Sequence, residues 1–145
     1  WFAGSQGFSD ICFRVTDLDA FQARCAEMRF PLTATGEFRR QRPDGIDVRW
    51  RLAGAIDDSQ AFFIEDITPI QYRIPEGKSR EHVNGAIGIT RVISRVSLEQ
   101  RPTDIEFRTA KDLGSQRFTI TLRTEATDKS RPEPSKCCGA LIEFD

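Results

Sequence analysis

Three kinds of side chain in this sequence have the chemistry for a site: carboxylates at strand ends, a run of guanidinium groups, and a single histidine. Glu65 closes the apolar run Phe62-Phe63-Ile64. Arg42, Arg49 and Arg51 stand in and around the segment Pro43-Asp44-Gly45-Ile46-Asp47-Val48-Arg49-Trp50. A guanidinium is a rigid fork that holds a carboxylate or phosphate at two points, so Arg42 and Arg49 are candidate substrate contacts, with Arg51 beside them. His82, the one histidine, lies in His82-Val83-Asn84-Gly85. Its imidazole titrates near neutral pH, which fits either a general base or an orienting hydrogen-bond donor. Asn84 is either a ligand contact or, with Gly85, the corner of a left-handed turn.

The elements that must position these groups follow from periodicity. A strand is expected near Phe8–Val15, with Ile11, Phe13 and Val15 on a core face and Asp10, Cys12 and Arg14 on the other. Thr16 or Asp17 can cap a helix in which Leu18, Phe21, Cys25 and Met28 recur at helical spacing, and Pro31 bars its continuation. The Pro-Asp-Gly turn then joins strands near Glu37–Gln41 and Ile46–Ala53, and a fourth strand covers Ala61–Ile67. Period-two alternation gives Phe62 and Ile64 to the core. Phe63 and Glu65 are thereby expected on a charged face with Asp47, Arg49 and Arg51, where Phe63 is the aromatic contact for a ligand. On that face Glu65 has a ready structural partner in Arg49, and the arginines are expected to lower the Cys12 thiol pKa.

A repeat is visible. Gly7-Phe-Ser-Asp-Ile-Cys-Phe-Arg-Val15 is echoed by Gly88-Ile-Thr-Arg-Val-Ile-Ser-Arg-Val96, an offset of 81 residues. Ile64-Glu65 is echoed by Ile142-Glu143, an offset of 78. The near-equal offsets point to an internal duplication. The second half is expected to hold a strand near Ile89, a helix announced by Pro102, Thr103 and Glu106 and ended by Gly114, a strand over Arg117–Arg123, a polar loop over Glu125–Lys136 and a closing strand over Gly139–Phe144. Glu143 would then pair with Arg91. The expected fold class is α+β, with paired βαβββ modules in curved, mostly antiparallel sheets and the second module reduced. The boundaries are 1–67 for the first module, 68–87 for a connecting loop and 88–145 for the second.

Bulk composition narrows the partners. The 145 residues carry 21 basic and 22 acidic side chains, a balance that argues against nucleic acid or an acidic membrane surface. No apolar run approaches the roughly 20 residues of a membrane span, and no secretory signal is read. The four cysteines, Cys12, Cys25, Cys137 and Cys138, show no C-x-x-C spacing and read as reduced thiols of a cytoplasmic protein. The chain opens on Trp1 rather than Met, so a longer parent is expected.

The elements Arg42-Pro43-Asp44-Gly45, Arg49-Trp50, Phe63-Ile64-Glu65 and His82-x-Asn84-Gly85, in that order, resemble the glyoxalase-like domains of the vicinal oxygen chelate superfamily. The resemblance runs from Gly7 to Val96 and is weak beyond. It implies a cleft built from paired βαβββ modules, with a divalent metal held on first and fourth strands. Carried onto this chain, the ligands would be Glu65, Glu143 and Asp10, an oxygen-rich set suited to magnesium or manganese more than zinc. Arg91 falls on the remaining ligand position and has no lone pair to offer. The implied function is a metal-dependent lyase, isomerase or dioxygenase acting on an anionic substrate, with Glu65 and His82 as catalytic residues. The alternative is a non-catalytic small-molecule-binding protein of the resistance type. The same resemblance implies a homodimer.

Overall fold

The computed structural model describes residues 7–8, 10–56, 61–94, 105–113, 118–125 and 140–145. The chain divides into two compact units, one over Asp10–Ser79 and the other containing the chain from Arg80 onward. Each holds one four-stranded mixed sheet, in an α+β arrangement of two βαβββ-like modules.

In the first unit, β1 (Ile11–Arg14), α1 (Leu18–Glu27), β2 (Gly36–Gln41), β3 (Asp47–Gly54) and β4 (Ala61–Asp66) follow one another. The sheet order is β1-β4-β3-β2, with β1 parallel to β4 and the other pairings antiparallel. Of the two capping candidates it is Asp17 that caps α1, its Oδ1 accepting from the Ala20 N–H at 2.8 Å. At the far end Arg29 turns left-handed at φ 57°, and the Phe30 N–H donates to the Cys25 carbonyl at 2.8 Å. That six-to-one closure satisfies a terminal carbonyl just before Pro31. Leu18, Phe21 and Cys25 are buried as their spacing requires, but Met28 is 48% exposed, because the helix has already ended there. Between β2 and β3 the Gly45 N–H donates to the Arg42 carbonyl at 2.9 Å, and Gly45 takes φ 83°, closing a three-residue hairpin loop.

The core between α1 and the sheet centres on Phe63, which is 1% exposed. Its ring lies 4.5 Å from that of Phe21, 5.7 Å from Phe13 and 6.3 Å from Phe30. Pairing opposes Phe63 to Phe13 on one side and to Ala53 on the other. This reverses the expected facing of β4: Phe63 lies under the helix, and Phe62, Ile64 and Asp66 face away from it. The physical reason is that Ala61-Phe62-Phe63-Ile64 is apolar on both faces, so alternation alone cannot choose between them. On β3 it is small Ala53 that admits α1, while Val48, Trp50 and Leu52 line the opposite face.

After β4 come a single helical turn, α2 (Ile70–Arg73), and a 3₁₀ turn over Gly77–Arg80. The second unit contains β5 (Ala86–Ser94), β6 (Glu106–Thr109), β7 (Phe118–Thr124) and β8 (Leu141–Phe144), in the order β6-β5-β7-β8. β5 and β7 are antiparallel, whereas β5–β6 and β7–β8 are parallel, so this sheet is less antiparallel than expected. The helix expected from Thr103 is corrected over Glu106–Thr109, which forms a strand against Arg91–Ser94. Glu106, Phe107 and Arg108 alternate exposed, half-buried, exposed, a period of two rather than 3.6. Pro102, Thr103 and Gly114, and most of the expected loop with Cys137 and Cys138, lie outside the described residues. The repeat extends to the strands but not to their pairing: β1 abuts β4, while β7 separates β5 from β8. Among the described residues, no helix is long and apolar enough to cross a membrane.

Candidate functional site

Sequence alternation assembled Arg49, Arg51 and Glu65 on one face, and the structure does so too, but at the N-terminus of α1. Glu65 stands directly opposite Arg51, not Arg49. Arg51 Nη1 donates to Glu65 Oε2 at 3.1 Å, and its Nη2 donates to Asp19 Oδ1 at 2.6 Å. The same Glu65 oxygen accepts the Leu18 N–H at 3.2 Å, one of the unpaired donors of the first helical turn. The hydrogen bond from Arg51 holds the Asp19 carboxyl below the usual range. Arg49 donates to Glu37. Arg42 donates to Asp44 at 2.6 Å and to the Tyr72 carbonyl at 3.2 Å. The guanidinium groups expected to meet a ligand thus have partners of their own.

The opposite face carries a different constellation. Cross-strand partners share a face, so Cys12 and Arg14 on β1, Phe62, Ile64 and Asp66 on β4, Trp50 and Leu52 on β3 and Phe38 on β2 look the same way. The Asp66 side chain is only 4% exposed. Arg73, from α2, donates through Nε to Asp66 Oδ1 at 2.6 Å and through Nη2 to Oδ2 at 2.9 Å. Arg14 Nε donates to the same Oδ2 at 3.1 Å. The Arg73 hydrogen bonds, opposed by desolvation and reinforced by Arg14, hold the Asp66 carboxyl below its usual range. Arg14 remains 59% exposed, and among the described residues its two terminal nitrogens meet no acceptor. Cys12 behaves oppositely to expectation. Desolvation of its sulphur pushes the thiol up to about 11, with Arg73 opposing and Asp66 adding to the rise. The residue is exposed as a whole, but desolvation at its sulphur outweighs the nearby cation.

The remaining candidates lie on separate elements. Asp10 is exposed just before β1. His82 is exposed in a turn closed by the Gly85 N–H on its carbonyl at 2.8 Å, with Gly85 at φ 67°, as the left-handed reading of Asn84-Gly85 requires. Asn84 Oδ1 accepts the Ala86 N–H at 3.2 Å. His82 and Asn84 share a surface depression of about 380 Å³ with Arg80, Ile87 and Leu122. Glu143 makes no hydrogen bond to Arg91, although, after the hydrogen bond to Glu106, its charge helps raise the Arg91 pKa. Thr121 stands between Arg91 and Glu143 on β7, and Arg91 donates instead to Glu106 at 2.6 Å.

The donors on the face opposite α1 do not suit a divalent metal. Among the described residues, no three His, Cys, Asp or Glu side chains gather around one point. Asp66, a carboxylate on the face opposite α1, is held by two guanidinium groups, and the first-strand positions beside it offer one thiol and a cation.

Asp66 and Arg73 went unread in the sequence. Their signal was present in the tandem Glu65-Asp66: two adjacent carboxylates on a strand must point to opposite faces, and only the second meets Arg14.

A βαβββ sheet with one face covered by a helix and charged groups on the other defines a class, and comparison with known families places the chain within it. Residues 1–107 match the glyoxalase-like domain model, and the chain belongs to that family, within the vicinal oxygen chelate superfamily. A hypothetical protein from Staphylococcus aureus of known crystal structure is similar in fold, with a TM-score of 0.70 at 16% identity over 95% of this chain. The match spans 66% of that protein's length. No curated protein matches the chain.

Proposed function

We propose that the face of the first sheet opposite α1 binds a small organic anion, with Arg14 as the group that contacts it, and that binding needs no metal. The observation that carries this reading is the state of Arg14: anchored through Nε by a buried, doubly held carboxylate, yet with its terminal nitrogens open at the edge of an apolar floor. Such pre-organisation lowers the ordering cost of recognition. Asp66 and Arg73 position Arg14 rather than touch the ligand.

A second reading, favoured by family membership, is a metal-dependent lyase, isomerase or dioxygenase in which Glu65 and His82 act on the anion. Titration calorimetry with a panel of carboxylates and phosphates, in chelated and metal-supplemented buffer, separates the two. We expect binding that is indifferent to chelator, and a loss of about tenfold or more in affinity for Arg14→Met, the worth of one charge-assisted hydrogen bond. Binding or turnover that appears only with magnesium, manganese or zinc favours the second reading. A homodimer is part of the proposal, because closed twofold pairing is the commonest assembly. Sedimentation showing only a 16.5 kDa species refutes that part.

A further inference from the structure

We infer that the ligand of this face is a planar aromatic monocarboxylate. The inference rests on the anion-binding reading above and adds to it the ligand's charge and shape.

Charge is set by a count of the groups that meet at Asp66. Two guanidinium groups and one carboxylate leave a single net positive charge. The Cys12 thiol, raised to about 11, adds no negative charge near neutral pH. Arg73 directs two nitrogens at Asp66, so the open fork is that of Arg14, which matches the two oxygens of one carboxylate. Three further charged residues follow the same alternation, and of these Arg42 is taken up by Asp44 and the Tyr72 carbonyl. Asp10 precedes Arg14 by four residues, roughly 13 Å along the strand, and Arg40 lies three strands away, roughly 14 Å. Both distances exceed the screening length of about 8–10 Å. A second carboxylate next to the first would therefore find no cation of its own and would face Asp66.

Shape is set by Phe38 and Trp50. Their rings are stacked, 15° from parallel with centroids 6.3 Å apart, so one flat ring laid on Trp50 extends the stack. Gly36 makes room for this: a Cβ there would come within 2.9 Å of the Phe38 ring. Trp50 is the direct cross-strand partner of Asp66 and stands two strands, roughly 10 Å, from Arg14, a gap that the long Arg14 side chain narrows from its own end. A carboxylate joined directly to an aromatic ring spans that distance.

The test uses the whole chain and three probes: 2-naphthoate, naphthalene-2,3-dicarboxylate and octanoate. We expect 2-naphthoate to bind about tenfold more tightly than either of the others, a margin of the size one unpaired charge or one stacking contact sets. Asp66→Asn, which keeps an acceptor oxygen for Arg73 while raising the local charge by one, should shift preference toward the dicarboxylate by about tenfold. Trp50→Leu should weaken 2-naphthoate and leave octanoate unchanged. Should Asp66→Asn fail to fold, the three native affinities and Trp50→Leu still decide. Equal affinity for all three probes, with Arg14→Met abolishing each, overturns this inference and leaves the anion reading standing. No binding by any carboxylate or phosphate overturns both.

Discussion

Replacing Phe63 and Phe62 separately by alanine distinguishes the two possible facings of β4. Phe63 is 1% exposed and touches the rings of Phe13, Phe21 and Phe30 beneath α1. Truncating a buried phenylalanine costs about 3–5 kcal/mol through lost transfer energy and the cavity left behind. Each lost ring pair adds about 0.5–1.5 kcal/mol within that range. Phe62 is half-buried on the opposite face, so its truncation should cost about 1–2 kcal/mol. The expected gap is about 2 kcal/mol. With a urea slope of about 1–3 kcal/mol/M, the midpoint for Phe63→Ala should lie about 1 M below that for Phe62→Ala. Tryptophan fluorescence during urea unfolding is the readout, since Trp50 reports on this unit. Phe63→Leu, which keeps part of the volume, gives a measurable midpoint if the alanine variant does not fold. A Phe62→Ala cost equal to or above that of Phe63→Ala would refute the register, and with it the placement of Asp66 and Arg14 on one face.

Three further outcomes follow from the same geometry. Because the Asp66 carboxyl is held below its usual range in the fold, its contribution to stability is complete above about pH 4 and lost as pH falls through the lowered native value; Asp66→Asn should flatten the acid limb of a stability–pH curve, and an unchanged limb would contradict the pairing. Glu65→Ala should cost about 1 kcal/mol through the freed Leu18 N–H and speed hydrogen exchange in the first turn of α1, with exchange unchanged there if Glu65 plays no such part. Cys12, exposed but with its thiol raised to about 11, should alkylate with iodoacetamide more slowly at pH 8 than an ordinary exposed thiol, read by peptide mass mapping; modification at the ordinary rate would show that its sulphur is not desolvated.

What the sequence determined by itself is local. The stop at Pro31, the Pro-Asp-Gly hairpin, the four strands of the first module and the left-handed Gly85 are each specified by a few neighbouring residues with restricted backbone or periodic burial. So is the family, whose motifs lie in the same stretch. What only the tertiary structure decided is which face each strand presents and which charges meet. Glu65 and Asp66 differ by one position, yet one steadies the start of α1 and the other anchors Arg14 and Arg73. That choice depends on the parallel pairing of Phe13 with Phe63, a contact between residues fifty apart. A strand apolar on both faces contains no internal record of its register, and a shift of one residue exchanges its faces. Glu106–Thr109 shows a related ambiguity: four residues with a capping pattern nearby satisfy a helix locally, and only the edge offered by Arg91–Ser94 makes them a strand.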